Sequence, residues 1–309
     1  MARDLARDAA LDLAWSLWTE LGVPGPRRSH QRAILDPERL IVVTPSICRD
    51  DARLADLAFS WCTGHAHRIS GSRLKGLLRS AHHDVRIAAE AFLGELATEG
   101  IHLVRVPPVS PARPRDRRDV AVQIERPALL RLRVRALLGL SGRADVLVAL
   151  LSSPDTWIRA AALEDVGIAK RNVARILAEL AEGGIARSRR RGNVREFRLS
   201  NPTAFGTVVA LPRDAVFPDW PAIFEWMRLA DELASLPAGR PATLRVEVAR
   251  RRESLEGLAA TLGFPRHESV ALSDPEPLVA WVVATACAIA DGTAHPVAGP
   301  AGRHRFTAA

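Results

Sequence analysis

Several residue types are scarce or missing in this chain of 309 residues. It has no tyrosine, two methionines, three cysteines and two lysines. Three scattered thiols predict no disulfide framework, and no signal-like apolar segment opens the chain, so we expect a cytoplasmic protein in a reducing environment. The longest apolar run, Leu278 to Ala290, is too short for a transmembrane helix and predicts a buried helix instead, with no membrane partner.

Signatures of the common catalytic sites are also missing. The sequence contains no phosphate-binding P-loop, no G-x-G-x-x-G after a strand, no H-E-x-x-H and no G-x-S-x-G. The acidic pair Asp50-Asp51 is best explained as the start of a helix, where negative charge is favourable near the positive end of the helix dipole. We therefore expect that the protein is not an enzyme and takes no cofactor.

One short cluster has the residue types of a metal site. Cys62, His65 and His67 lie close together, and a fourth ligand would have to come from Cys48 or from His82-His83. A transition-metal site needs three or four converging ligands, and no paired Cys-x-x-Cys supports one here. The favoured interpretation is a set of partly buried residues at a helix end, without a metal.

The positive charge is unevenly distributed. The chain has 43 basic and 35 acidic residues and a formal charge of +8. The near absence of lysine beside abundant arginine is typical of a GC-rich genome, so arginine content alone predicts no partner. However, 101–138 and 168–200 each contain nine basic and three acidic residues, which leaves the remainder of the chain net negative. Such concentration favours contact with nucleic acid.

Hydrophobic periodicity predicts a mainly α protein with small β-hairpins, of the α+β class. We divide it into a helical N-terminal domain (1–100), an extended connector rich in proline and arginine (101–127), a central domain (128–202) and a mainly helical C-terminal domain (203–309). Asp36-Pro37 predicts a helix start. The segment ATLRVEVAR (242–250) predicts a short strand in the C-terminal domain.

The central segment has the clearest pattern. Gly142 to Ser152 predicts a first helix, Trp157 to Val166 a short second helix packed through Ile158, Ala161, Ala162 and Val166, and Lys170 to Glu182 a third. The third helix has Val173, Ile176, Leu177 and Leu180 on one face. Two strands follow, Ile185 to Ser188 and Val194 to Leu199, with a basic loop containing Gly192-Asn193 between them.

This order resembles the winged helix-turn-helix of transcriptional regulators of the ArsR and MarR type, over residues 141–200. The matching residues are Val166-Gly167-Ile168-Ala169-Lys170-Arg171, Leu177, Leu180, Gly183-Gly184-Ile185 and Arg195-Glu196-Phe197-Arg198-Leu199. The resemblance implies a sequence-specific double-stranded DNA-binding protein, a transcriptional regulator and repressor. It also implies a homodimer, because such regulators match two half-sites.

In this interpretation, recognition helix 169–182 enters the major groove and wing 185–199 lies on the backbone or in the minor groove. Arginine pairs with guanine and asparagine with adenine, whereas phosphates are contacted by arginine, lysine and hydroxyl groups. The expected DNA-binding residues are Thr156 and Arg159 near the start of the second helix, Lys170, Arg171, Asn172 and Arg175 on the recognition helix, and Arg187, Arg189, Arg190, Arg191, Asn193 and Arg195 on the wing.

Two alternatives stay open at this level. Winged helices also serve as protein-interaction or scaffold modules, and a basic surface can bind nucleic acid without sequence preference. The aromatic residues Phe217, Trp220, Phe224 and Trp226 have spacing typical of a core, with a ligand pocket or dimer face as the alternative. The flanking domains could accordingly dimerise, bind an effector or contact a partner protein.

Overall fold

The structure, a computed structural model, describes residues 2–26, 28–111, 115–116, 118–236, 241–264 and 276–294. Within these ranges the protein is mainly helical, with one small antiparallel sheet of three strands, so the predicted α+β class is confirmed. The helices are α1 (Ala2–Glu20), α2 (Pro37–Ile47), α3 (Ala52–Gly64), α4 (Gly71–Ser80), α5 (His83–Thr98), α6 (Leu130–Leu138), α7 (Gly142–Leu151), α8 (Lys170–Glu182), α9 (Pro202–Val208), α10 (Trp220–Ala234), α11 (Pro241–Leu262) and α12 (Glu276–Ala290). The strands are β1 (Ile158–Arg159), β2 (Ala186–Arg191) and β3 (Val194–Leu199).

The chain divides into two compact units. The helical unit falls within Met1–Thr19, Gly25–His30 and Phe217–Arg303, and the mixed unit within Glu20–Pro24 and Gln31–Val216. The four predicted domains have other boundaries, since α1 groups with the C-terminal helices and 31–127 groups with the central segment. As a statement about independent folding, the four-domain division stays a prediction.

The helical unit is built around aromatic residues of α10. Trp226 is fully buried, and its indole N–H donates to the carbonyl oxygen of Val282 on α12 at 3.1 Å. The Trp281 ring lies edge-on to Trp226 at 5.2 Å between centroids. Trp220 and Phe224 are buried as well, which agrees with the core interpretation of this aromatic cluster. The segment 242–250 is helical here and not a strand, because it continues into the long α11.

The mixed unit begins with four capped or glycine-terminated helices. The Asp36 carboxylate accepts a hydrogen bond from the backbone N–H of Arg39 at 3.2 Å and starts α2 at Pro37, as predicted. The Asp51 carboxylate accepts from the N–H of Leu54 at 2.9 Å and starts α3. These caps satisfy N–H groups that a helix leaves unpaired, which explains the acidic residues at 36 and 51. The described parts of 101–127 contain no regular strand, consistent with the extended connector.

The sheet lies beside α7 and α8, in the order β1-β3-β2. Strands β2 and β3 form a hairpin in which Ala186 pairs with Leu199 and Arg191 with Val194. The two-residue turn Gly192-Asn193 has φ +60 at the glycine, which fits the type II′ turn that matches strand twist. Strand β2 therefore extends to Arg191, three residues beyond the end predicted for it at Ser188.

The predicted second helix of the central segment is wrong over its first three residues, 157–159. Ile158–Arg159 is strand β1, which pairs with Phe197 and Glu196 of β3, and only Ala160–Val166 is helical, as a 3-10 helix kinked at Leu163. Ile158, Leu163 and Val166 are buried, whereas Ala161 and Ala162 are exposed and do not pack as expected. A distant strand thus outcompetes the local helical preference of this stretch.

Across the described ranges, no helix combines the length and the apolar character needed to span a membrane. The apolar segment expected to form a buried helix is α12, with seven buried positions. They are Leu278, Val279, Val282, Val283, Ala286, Ile289 and Ala290.

Candidate nucleic-acid interface

Helix α8 buries one face and exposes the other. Its bounds coincide with the predicted ones, and its buried positions are the predicted set, Val173, Ile176, Leu177 and Leu180. These residues pack toward α7, the preceding 3-10 helix and β2. Lys170, Arg171 and Asn172 are exposed in the first turn, and none of their side chains has a hydrogen bond or ion pair within the described residues.

The start of α8 is electrostatically unfavourable by itself. Its N-cap is Ala169, which offers no side-chain hydrogen bond, and the first turn contains no acidic residue. Lys170 and Arg171 place two positive charges at the positive end of the helix dipole, at a cost of about 0.3–1 kcal/mol each. A local arrangement that opposes stability is expected where function requires it.

Farther along α8, Arg175 has an internal partner. It forms an i,i+4 ion pair with Glu179, and Glu179 also accepts a hydrogen bond from Nη2 of Arg143 on α7 at 2.7 Å. The hydrogen bonds from Arg143 and Arg175 hold the pKa of Glu179 below its usual range. Arg175 is still 61% exposed, but its guanidinium is already engaged, unlike that of Arg171.

The wing arginines divide between two faces of the sheet, because residues paired across antiparallel strands point to the same side. We call the side toward α8 the inner face, and it contains the buried Ile158, Ala186, Phe197 and Leu199. Near the hairpin tip this face continues as the pair Arg190–Arg195. Arg195 lies over the Phe197 ring at 5.3 Å, and its Nη2 donates to Oγ of Ser188 at 3.2 Å.

The opposite side, here the outer face, contains Arg159, Arg187, Arg189, Arg191, Val194, Glu196 and Arg198. Glu196 is only 3% exposed. Its Oε2 accepts from Nε of Arg189 at 2.8 Å, and its Oε1 accepts from Nε of Arg159 at 3.4 Å. The hydrogen bonds from Arg189 and Arg159 lower the pKa of Glu196. Two of the expected DNA-binding arginines therefore share one carboxylate.

An aromatic ring supports the same cluster. Trp157 precedes β1, and its ring centroid lies 4.4 Å from Cζ of Arg189 and 5.0 Å from Cζ of Arg198. Sequence reasoning missed Trp157, Glu196 and Arg198 as members of the basic surface. The hairpin register contained the signal, since a two-residue turn at Gly192-Asn193 necessarily places Arg189 opposite Glu196.

The remaining predicted residues lie in several places. Thr156 is half-buried in the loop before β1 and not at a helix start, and its backbone N–H donates to the carbonyl oxygen of Ser153 at 3.1 Å. Arg159 is not at a helix start either, because it lies on strand β1. Arg187 and Arg191 are exposed on β2, and Asn193 is exposed in the turn.

The turn that precedes α8 packs directly against α4. Arg73 of α4 is 1% exposed and donates a hydrogen bond to the carbonyl oxygen of Val166. A Cβ added to Gly76 would lie 2.0 Å from the carbonyl oxygen of Gly167, which itself has φ +74. Glycine at both positions lets the helix and the turn approach each other, so α4 fixes where α8 begins.

Arg73 belongs to a chain of buried ion pairs. Its guanidinium also pairs with Asp36, and its Nε lies 3.3 Å from Oε2 of Glu38. Arg135 of α6 donates to both oxygens of Glu38 at 2.6 and 2.8 Å, and its Nη2 donates to Asp145 of α7 at 2.9 Å. This network joins α2, α4, α6 and α7 to the turn before α8.

Two buried carboxylates of the network, Asp36 and Asp145, are held in the ionised form by the arginines around them. Burial by itself would raise the pKa of Asp36, but nearby arginines, Arg73 foremost, hold that pKa well below its usual range. The pKa of Asp145 is lowered in the same way, against the effect of burial, with Arg135 as the strongest contributor. Each buried guanidinium is thereby compensated, as buried charge requires.

The residues of the alternative metal site do not converge. Within the described ranges, no three or more His, Cys, Asp or Glu side chains form a group that could hold a metal ion. Cys62 is fully buried, and burial raises the pKa of its thiol far above the usual range. Nε2 of His65 donates to the carbonyl oxygen of Val120 at 2.6 Å, and burial is the main cause of its lowered pKa.

Comparisons of the chain with protein-family models, with curated proteins and with solved structures gave no match. The functional assignment therefore rests on the arrangement of α8, the sheet and their charged residues.

Proposed function

We propose that this chain is a sequence-specific double-stranded DNA-binding protein and acts as a transcriptional regulator, a repressor. In this proposal α7, the 3-10 helix and α8 form a helix-turn-helix, α8 is the recognition helix and β2–β3 is the wing. The observation that carries the proposal is the first turn of α8, where Lys170, Arg171 and Asn172 are exposed and have no side-chain partner within the described residues. The charges of Lys170 and Arg171 also oppose the helix dipole there.

The chemistry of that turn fits base edges in the major groove. An α-helix fits the width of the groove, and the N-terminal residues of a recognition helix are the ones that contact bases. The Arg171 guanidinium can donate to both O6 and N7 of guanine, and Asn172 can pair with N6 and N7 of adenine. Lys170 is suited to a phosphate.

In the proposed complex, the inner face of the wing contacts the same duplex as α8. Arg190 and Arg195 lie on the side of the sheet toward α8, and both are exposed. Side chains on that side are the best placed to reach the backbone or the narrow minor groove next to the groove that α8 enters. The Arg195 side chain is already supported by Phe197 and Ser188.

Selection from a random pool of duplexes tests the proposal, because it reads binding and sequence preference together. We expect enrichment of a defined site, and an inverted repeat of that site would indicate a homodimer on two half-sites. Affinity should fall steeply with salt, by about 0.9 in log–log slope for each phosphate contacted. A chain that retains no duplex even at low salt would contradict the proposal.

A matched pair of variants separates specific contacts from net charge. The triple change Lys170→Ala, Arg171→Ala and Asn172→Ala should weaken binding to the selected site by at least about tenfold, since each base contact contributes about 1–3 kcal/mol. The double change Arg245→Ala and Arg250→Ala, on exposed α11 surface of the helical unit, removes the same number of positive charges, two, and should change the affinity little. A scaffold protein would show no selected site and no difference between the variants.

A further inference from the structure

The outer face of the sheet has a cluster of arginines that takes no part in the packing toward α8. Five arginines share this face with a single acidic residue, Glu196, and the Trp157 ring lies against two of them. Because the inner face packs toward α8, phosphates bound on the outer face lie on the other side of the sheet from α8.

We propose that the outer face is a second phosphate-binding surface for duplex DNA, and that Glu196 and Trp157 hold Arg159, Arg189 and Arg198 in place for it. The inference rests on the proposed function, since the anion it invokes is the duplex backbone. It assigns Glu196 as a positioning residue.

The geometry leaves donors available after Glu196 has been satisfied. Arg189 uses Nε and Nη2 on Oε2, both at 2.8 Å, and Arg159 uses Nε. Nη1 of Arg189 and both Nη groups of Arg159 have no partner within the described residues, and the side chains are 44% and 53% exposed. A guanidinium has five N–H donors, so each group can pair with Glu196 on one edge and with a phosphate on the other.

Two roles of Glu196 can be distinguished: holding the arginines in a binding conformation, and simply neutralising their charge. A flexible arginine loses rotamer freedom when it binds a phosphate, and that loss weakens binding. Here Glu196 and Trp157 impose the loss before any ligand arrives. In contrast, if Glu196 only neutralised its neighbours, its negative charge would oppose phosphates, and removing that charge would tighten binding.

The experiment isolates the outer face by using the chain that carries Lys170→Ala, Arg171→Ala and Asn172→Ala. The probe is a fluorescent random-sequence duplex of about one helical turn at low salt, and its anisotropy reports residual binding. Glu196→Gln, Trp157→Leu and Glu196→Asp are then added singly. Glu182→Gln is the matched control, because exposed Glu182 on α8 carries the same charge with no ion pair within the described residues. Thermal unfolding checks that each variant folds.

We expect residual binding that weakens about threefold or more in Glu196→Gln and in Trp157→Leu, although Glu196→Gln makes the chain more positive. Glu196→Asp should recover much of the loss, and Glu182→Gln should bind as tightly as its parent or slightly more tightly. A merely structural Glu196 would instead change unfolding temperature and binding together in every variant at that position, Glu196→Asp included.

Three further results would overturn the inference. If residual binding is unchanged or tighter in Glu196→Gln, then Glu196 does not position the arginines, and positive charge alone accounts for binding at the outer face. No residual binding in the triple variant, while the unaltered chain binds, removes the second surface and leaves the proposed function standing. Absence of duplex binding by the unaltered chain removes both.

Discussion

Arg171 and Arg175 lie about one helical turn apart on the same exposed side of α8, yet their settings differ. Arg171 has no ion-pair partner within the described residues, whereas Arg175 is paired with Glu179, which Arg143 also contacts. To reach a base, Arg175 must first leave that carboxylate. Exposure alone, which the sequence predicted for both residues, does not distinguish them.

This difference gives a prediction for single substitutions. Arg171→Ala should weaken binding to the selected duplex by about 1–3 kcal/mol and relax preference at one base pair. Arg175→Ala should cost less, because the contact it loses was offset by breaking the Glu179 ion pair. Anisotropy titrations against the selected site and its single-base variants check the order, and a larger loss for Arg175→Ala would contradict it.

Single residues were also where sequence reasoning failed most clearly. The arginines of the wing could be found from composition and spacing, and most are indeed exposed. The partner of Arg159 and Arg189 was missed, because Glu196 meets Arg189 only through the register of the β2–β3 hairpin and meets Arg159 only after β1 pairs with β3. Ion pairing between strands depends on register, which local periodicity does not contain.

At the scale of elements, the contact of α4 with the turn before α8 depends on small residues. A methyl group at position 76 would overlap the carbonyl oxygen and carbon of Gly167, at 2.0 and 2.8 Å. Both are backbone atoms, so a flexible side chain cannot relieve the clash. The turn must shift, and α8 shifts with it.

We therefore predict that Gly76→Ala is destabilising by roughly 1–2 kcal/mol, because a clash with backbone belongs at the upper end of the overpacking range, about 2–3 kcal/mol, and helix propensity returns roughly 1 kcal/mol. It should also reduce duplex affinity, because the recognition helix moves. Gly257→Ala in α11 is the control, since an added Cβ there meets nothing within 4 Å and should stabilise by about 0.5–1 kcal/mol. Chemical denaturation gives both values, and a Gly76→Ala chain as stable as its parent would refute the prediction.

The elements differ in how far they could be predicted, for identifiable reasons. Helix α8 was predicted to its ends, because its apolar positions recur at helical spacing and Gly183-Gly184 stops it. Strand β1 was missed because two residues pair with a strand almost forty positions later. The stretch 242–250 alternates like a strand over nine residues, but it lies within a helix of 22.

At the scale of the whole molecule, the buried ion-pair network sets the response of the mixed unit to pH. Asp36 and Asp145 have pKa values below those of an unfolded chain. Groups of this kind stabilise the fold above their unfolded pKa, near 3.9, and the stabilisation disappears as pH falls through the folded pKa.

We expect the free energy of unfolding to be nearly constant from about pH 7 to 8 and to fall steeply below about pH 4. It should also decline above about pH 8.5, because the buried Cys62 thiol keeps its proton while the unfolded chain loses it. His65 should add a shallow decline below about pH 6.5, because its lowered folded pKa means that the unfolded chain binds the proton first. Urea titrations over this range measure the profile. Asp145→Asn should reduce the slope below pH 4, and an unaltered slope in that variant would argue against the network as its source.

None of this network was foreseen from the sequence. Its members come from four helices and are separated by up to 109 positions between Asp36 and Asp145, so no local pattern links them. The concentration of basic residues in 101–138 was interpreted as favouring contact with nucleic acid, yet Arg135 lies in the core, 5% exposed. Part of the predicted nucleic-acid charge is thus structural.

The same network determines how small a working fragment can be. A fragment that begins at residue 128 would contain the whole proposed helix-turn-helix. However, it would contain Arg135 and Asp145 without their partner Glu38. Arg73, which holds the turn before α8, would be lost as well. Removing one side of a buried ion pair costs about 3–5 kcal/mol, comparable to the whole stability of many small domains. A piece that keeps these partners must begin before Asp36, and the whole mixed unit also includes Glu20–Pro24, where the carbonyl oxygen of Leu21 accepts from the Trp61 indole.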